Sequence, residues 1–331
     1  MILQTAVDTQ SDGFSLTHGD HVLMLGSCFA QEVGKRLSDN AFRVAVNPFG
    51  VLYNPASIAH ALDLLTDAGK ESLPDDRLAL FQSQGLWRSW FFGTDYAADE
   101  REDALRLMNG SMNRATAGKW PCDVLMLTLG TNRAYLPKAL NDGGKHKMVA
   151  ANCHKMPDRD FEVWDMSIAD IVDILGKSLV RLMERSESLR IVLTVSPYRY
   201  AKYGFHGNQL SKATLLLAVE ALQQKFGRNR IHYFPAYELL MDEMRDYRFY
   251  GEDMLHPSAT AVNIVWERFT SGWVSERSRA FMKDWEKCRK MMKHKLLRPD
   301  SDEARRFKEQ TRQRMAELCG KYPEISLNTE L

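Results

Sequence analysis

Residues 22–30, reading VLMLGSCFA, constrain the chain more than any other stretch. Val22, Leu23, Met24 and Leu25 are continuously apolar, as a parallel strand covered on both faces must be, and Gly26 permits a sharp turn at its end. A helix follows at once, because Phe29, Val33 and Leu37 recur at intervals of four with polar Gln31, Glu32, Lys35 and Arg36 between them. Ser27 then stands at a strand's C-terminal end and a helix's N-terminus, where free backbone N–H groups can stabilise a developing oxyanion. The same Gly-Ser step also suits an ordinary turn with a helix-capping serine, so alone it assigns no chemistry.

The rest of the chain extends this strand-helix unit. With 331 residues and 44% hydrophobic content, a large buried core is within reach. Lys and Arg number 44 against 43 Asp and Glu, so no global basic field points to nucleic acid or an anionic membrane. The opening MILQTAVDTQ lacks the basic and apolar regions of a signal peptide, and no later apolar run approaches the ~20 residues of a membrane span. The expectation is a cytoplasmic protein. Five cysteines without a Cys-x-x-Cys pair fit reduced thiols better than a disulfide frame or structural zinc.

Strand patterns recur at 42–46, 123–129, 190–195 and 231–235, and helical spacing at 54–65, 101–115, 168–183 and 211–226, with a last core helix beginning near Ala261. Residues 1–20 are expected to lie over the sheet edge, and 86–92 to form a strand or hairpin arm. Segments 134–136 and 148–151 flank the turn-rich Asn141-Asp142-Gly143-Gly144. They predict a hairpin insertion that returns Asn152-Cys153-His154-Lys155 to the same rim. Alternation of strand and helix argues for an α/β chain: a three-layer αβα sandwich with a mostly parallel sheet over residues 1–274. Residues 275–331 read as a charged helical extension divided at Pro299-Asp300-Ser301. Seven Lys or Arg against two acids between 283 and 298 suit an acidic partner or, more simply, a solvated helix packing Trp285, Met291 and Met292 on the body or on another subunit.

A serine hydroxyl needs a base, and Asp253-Met-Leu-His256 offers one on a loop before the last core helix. His256 would take the Ser27 proton and return it to the leaving oxygen, while Asp253 orients the ring. Asp-x-x-His also suits a plain surface turn capping the next helix. Cys28 is a rival nucleophile, since a helix N-terminus lowers a thiol pKa; Ser27 is preferred because adjacent side chains at a turn point different ways. His154 is open to three readings: metal ligand, substrate contact, or a rim histidine bonded to backbone. One His-Cys pair does not make a metal site, and none is expected. Lys155, Arg133, Tyr198 and Arg199 are candidate contacts for a polar or anionic substrate.

Gly26-Ser27-Cys28-Phe29-Ala30 resembles the signature of the GSCFA family, regarded as a branch of the SGNH/GDSL hydrolase superfamily. NPFGVLYNP (47–55), LTLGTN (127–132), NCHK (152–155), TVSP (194–197), SKATL (211–215) and DYRFYGEDMLHPS (246–258) are similar to that family as well, up to about residue 270. The resemblance implies a flavodoxin-like SGNH fold with Ser27 as nucleophile, Asp253 and His256 as its triad partners, and an oxyanion hole from the N–H of Ser27, the N–H of Gly50 and the side-chain amide of Asn132. Two features depart from it: Gly-Ser-Cys stands where the superfamily has Gly-Asp-Ser, and Gly50 has no spacing check of its own. The resulting expectation is a cofactor-independent serine esterase acting on an O-acyl ester, such as an acetyl group on a carbohydrate, through an acyl-serine intermediate. The rivals are an acyltransferase using the same triad and a non-catalytic carbohydrate-binding or scaffold protein.

Overall fold

The computed structural model describes residues 5–68, 73–117, 119–141, 147–294, 301–325 and 327. In chain order the elements are β1 (His21–Gly26), α1 (Cys28–Asp39), β2 (Arg43–Val46), α2 (Pro55–Ala68), the single-turn α3 (Asp75–Leu78), β3 (Leu80–Ser83), β4 (Leu86–Ser89) and α4 (Arg101–Thr116). There follow β5 (Val124–Leu129), β6 (Arg133–Pro137), β7 (Phe161–Asp165), α5 (Ile168–Arg185), β8 (Arg190–Val195), α6 (Gly204–Phe226) and β9 (Ile231–Tyr233). The short α7 (Ala236–Glu238), α8 (Ala259–Trp273), α9 (Glu276–Met292) and α10 (Asp302–Lys321) complete the chain.

Five strands pair in the order β2-β1-β5-β8-β9, and every pairing is parallel. Successive side chains of a strand point to opposite faces, and here both faces are covered. Leu23 and Leu25 of β1, Leu125 and Leu127 of β5, and Ile191 and Leu193 of β8 share one core with Leu62 of α2, Leu175 of α5 and Leu215 of α6. The alternate residues Val22, Met24, Val124, Met126 and Val192 share the other with Phe29, Val33 and Leu37 of α1 and Phe269 of α8. Each fully buried Leu contributes about 1.5 to 3 kcal/mol, which is why the three innermost strands are almost wholly apolar. The fold is therefore mixed α/β, a sheet between two helical layers, with helices added at the C-terminus. Among the described residues no helix is long and apolar enough to cross a membrane.

Three local expectations give way. The partner of β6 is β7, paired antiparallel, whereas 148–151 touch β6 only through the bridge between Tyr135 and Ala150. Period-two patterning does not name a strand's partner, and the nearest apolar run was not the one chosen. Residues 142–146 of the proposed turn lie outside the described residues, as do Pro299 and Asp300. Helix α6 begins at Gly204 rather than near Ser211, so Gly204 and Gly207 lie in its first turn. The N-terminal segment does reach the sheet edge, where Phe14 meets His232 of β9, but it is fastened mainly to the end of α8: Leu16 bridges Val274, and the Trp273 indole donates to the Thr9 carbonyl at 2.7 Å.

The C-terminal helices pack on the body as the simpler reading expects. Trp285 is buried and its indole donates to the Asp39 carbonyl at 2.9 Å, closing the C-terminal end of α1. Phe281, Cys288, Met315, Leu318 and Tyr322 form a small separate core between α9 and α10. The local basic excess is partly matched by Lys287 with Asp284, Lys290 with Glu286 and Arg289 with Asp39.

The tightest backbone contact lies at Gly26. Its φ is +144°, and a Cβ there would sit 2.3 Å from the Thr128 carbonyl oxygen. Gly26→Ala is expected to cost about 3 kcal/mol or more, read as a lowered urea midpoint or loss of soluble protein. Trp285→Ala should cost about 3 to 5 kcal/mol locally. In hydrogen exchange α9 and α10 should then lose protection while β1, β5 and β8 keep theirs.

Candidate active site

The C-terminal ends of β1, β5 and β8 lie side by side, and each is followed by a polar residue: Ser27, Thr131 beyond Gly130, and Ser196. Ser27 is the N-cap of α1 and is 1% exposed. Four other helices are capped by serines, Ser167, Ser258, Ser275 and Ser301, and each of these side chains accepts a backbone N–H of its helix's first turn. Ser27 makes no such bond. Its hydroxyl instead donates to Ser196 Oγ at 3.0 Å, across the width of β5. A capping serine normally offers its oxygen to the helix; this one is left available above the first turn of α1, whose orphan N–H groups carry partial positive charge.

Asp253 and His256 are held as a pair by the loop before α8. Asp253 Oδ2 accepts from His256 Nδ1 at 2.5 Å, and Oδ1 accepts the backbone N–H groups of Leu255 and His256 at 3.0 Å each. These bonds, led by the one to the imidazole, hold the Asp253 carboxyl at about 2. The plain reading of a capping turn fails here, because the cap of α8 is Ser258. The loop is tied to the exit of β8: the Arg199 N–H donates to the Leu255 carbonyl at 3.1 Å and its guanidinium to the Met254 carbonyl at 3.1 Å. Tyr198, two residues beyond Ser196, lies against the His256 ring at 4.3 Å between centroids. The Tyr198 N–H also points to Ser196 Oγ at 3.4 Å, so this residue touches both halves of the site, and burial raises its pKa.

Ser27 and His256 are brought to one rim but share no hydrogen bond; Ser196 occupies the serine hydroxyl and Tyr198 flanks the imidazole. The expected oxyanion donors are unequal. The N–H of Ser27 points to the Thr128 carbonyl at 3.4 Å, a long and weak bond. Asn132 is buried, with one amide N–H donated to the Met166 carbonyl at 2.9 Å and its own N–H to Ser211 Oγ at 2.9 Å, which leaves a second amide N–H. Gly50 departs from the expectation: its N–H closes a turn on the Asn47 carbonyl at 2.8 Å, with φ at +82°. Asn47 in turn anchors the Gly26-Ser27 turn, its Oδ1 accepting the Gly26 N–H at 2.9 Å.

Cys28 is a poor rival. Burial raises its pKa, outweighing the lowering by the N–H groups of Cys28 and Phe29 that a helix N-terminus supplies. His154 is the backbone-bonded histidine of the three readings. It is buried, its Nε2 lies 2.7 Å from the Ser89 carbonyl, and Phe81 and Trp90 meet it edge-on. Lys155 beside it is exposed. Arg133 is occupied by Asp165 at 2.6 Å and by the Tyr203 ring at 3.8 Å, and Arg199 stacks on Phe205 at 4.2 Å. Among the described residues no group of three or more His, Cys, Asp or Glu is placed to hold a metal ion.

Two residues of the site were not singled out from the sequence. Ser196 follows an apolar strand as Ser27 does, and the same reasoning applied to β8 would have found it. Lys212 shares a face of α6 with Leu215, Val219 and Leu222, and a lysine at a core position of a helix is the signal.

The sequence matches the family model described as GSCFA family over residues 21–269, which contain every site residue above, and the model described as GSCFA domain protein, C-terminal domain, over residues 285–331. No curated protein and no solved structure matches it. The first match takes in more than half of the chain, from β1 into α8, and on that ground the chain belongs to the GSCFA family.

Proposed function

We propose that this chain is a serine esterase of the SGNH type, cleaving an O-acyl ester through an acyl-Ser27 intermediate. The observation that carries the reading is the uncapped hydroxyl of Ser27, set over the α1 N-terminus on the same rim as a carboxylate-oriented imidazole. In this mechanism the Ser27 hydroxyl turns from Ser196 to His256 as substrate enters. Asp253 fixes the Nδ1–H tautomer, so Nε2 is the base that accepts the serine proton. Attack of Ser27 Oγ on the ester carbonyl carbon forms the tetrahedral adduct. His256 then protonates the departing alcohol as the C–O bond breaks. Water, deprotonated by the same imidazole, attacks the acyl-serine and releases the acid. The developing oxyanion falls to the N–H groups at the start of α1 and the second amide N–H of Asn132; each such donor is worth about 2.7 to 4 kcal/mol. Gly50 takes no part, since its N–H is engaged. An O-acetylated sugar is the first substrate to try, and an acceptor hydroxyl in place of water would make the same site an acyltransferase. The bond from Ser27 to Ser196, with no bond to His256, favours a second reading, a binding protein whose triad is vestigial.

A fluorophosphonate should label Ser27, and His256→Ala should lose that labelling; the absence of labelling in the parent protein favours the binding reading. On short-chain aryl esters, Ser27→Ala should reduce kcat/KM at least about 10³-fold. Ser196→Ala, which removes only the resting partner of the hydroxyl, should change it less than about tenfold. A collapse of Ser196→Ala to the level of Ser27→Ala would show instead that the proton leaves through Ser196.

A further inference from the structure

Lys212 has no exposed surface, and among the described residues no carboxylate pairs with it. Its Nζ donates to the Gly130 carbonyl at 2.6 Å and to the Ser196 carbonyl at 2.8 Å, the residues that directly follow β5 and β8. The adjacent Ser211 holds the same exit from the other side, its Oγ accepting the Asn132 N–H at 2.9 Å and meeting Thr131 Oγ1 at 3.1 Å. Burial keeps the Cys28 thiol protonated, so it supplies no counter-charge to the ammonium, and the Tyr237 ring lies 5.9 Å away. Burying a lysine without a counter-charge is costly, and a methionine or leucine would fill the space without that cost. The position becomes intelligible if negative charge develops nearby during reaction, because a fixed cation in a dry site then acts on the oxyanion with little screening.

We propose that Lys212 is a positioning residue of the serine site, fastening the exits of β5 and β8 that carry Asn132 and Ser196, and lending positive charge to the developing oxyanion. The inference rests on the serine-hydrolase reading. Burial pushes the Lys212 pKa down to about 7. The neutral amine can still donate to both carbonyls, so raising the pH removes the charge and leaves the clamp. Loss of that charge gives acylation a falling limb centred near pH 7, opposite in direction to the rising limb that a histidine base requires.

The test is the second-order rate of fluorophosphonate labelling of Ser27 from pH 5.5 to 9 in the full chain, as parent, Lys212→Met and Lys212→Gln. The parent should give a bell-shaped profile. Both variants should lose the falling limb and label about ten- to a hundredfold more slowly at pH 6.5. Lys212→Gln retains an amide donor without charge, so a parent-like rate and profile in that variant overturns the inference. If neither variant folds, a ¹⁵N NMR titration of the parent's lysine side chains decides: a Lys212 midpoint coincident with the falling limb supports it, and an amine already neutral at the pH where Ser27 labels fastest overturns it. A parent in which Ser27 is never labelled removes the hydrolase reading itself; labelling indifferent to Lys212 removes the inference alone.

Discussion

Strand β1 can end beside β5 and turn at once into α1 because Gly26 has no side chain to meet the Thr128 carbonyl. That close approach puts Ser27 at the first turn of a helix and within 3.0 Å of Ser196 at the exit of β8. A Cβ at residue 26 would push β1 away from β5, and the hydroxyls at the two exits would part. The strand on the outer side is adjusted to the same turn. Asn47, with a positive φ of 45°, ends β2 and folds its side chain back to take the Gly26 N–H.

The site then divides into a rigid half and an exposed half. Ser27, Ser196, Lys212 and Asn132 are buried at the ends of three paired strands, where both cores restrain them. Asp253 and His256 sit on an exposed loop whose turn includes Met254 at a positive φ of 57°, and whose main fastening is to Arg199. Few apolar contacts hold such a loop, so its movement over the rigid half costs less than any movement of the strands. In the proposed mechanism, the shift that brings Nε2 to the serine therefore falls on the half best able to make it, with Tyr198 as the ring that slides.

The sheet was legible because burial on both faces leaves an unmistakable mark: continuous apolar runs at 22–25 and 124–127, each closed by small or polar residues. The positions of Ser27, Asp253 and His256 followed from strand exits and loop spacing. What period and composition do not carry is pairing between distant segments and the final partner of a polar atom. Hence the sequence pairs β6 with 148–151 rather than with β7, leaves three readings of His154 open until the Ser89 carbonyl is seen beside it, and gives Gly50 a free N–H. Lys212 was missed for a related reason. A lone charge in an apolar helical stripe reads as noise until the carbonyls that receive it are known.

The central claim is that the exposed half closes on the buried serine to form a working acyl-transfer site. A crystal structure of the protein after reaction with a fluorophosphonate tests it most directly. The account predicts phosphorus bonded to Ser27 Oγ, one phosphonyl oxygen about 2.7 to 3.1 Å from an N–H of the first turn of α1 and from the Asn132 amide, and His256 Nε2 within hydrogen-bond reach of the adduct. An adduct on another residue, or one on Ser27 with the imidazole still against Tyr198 and out of reach, would contradict it.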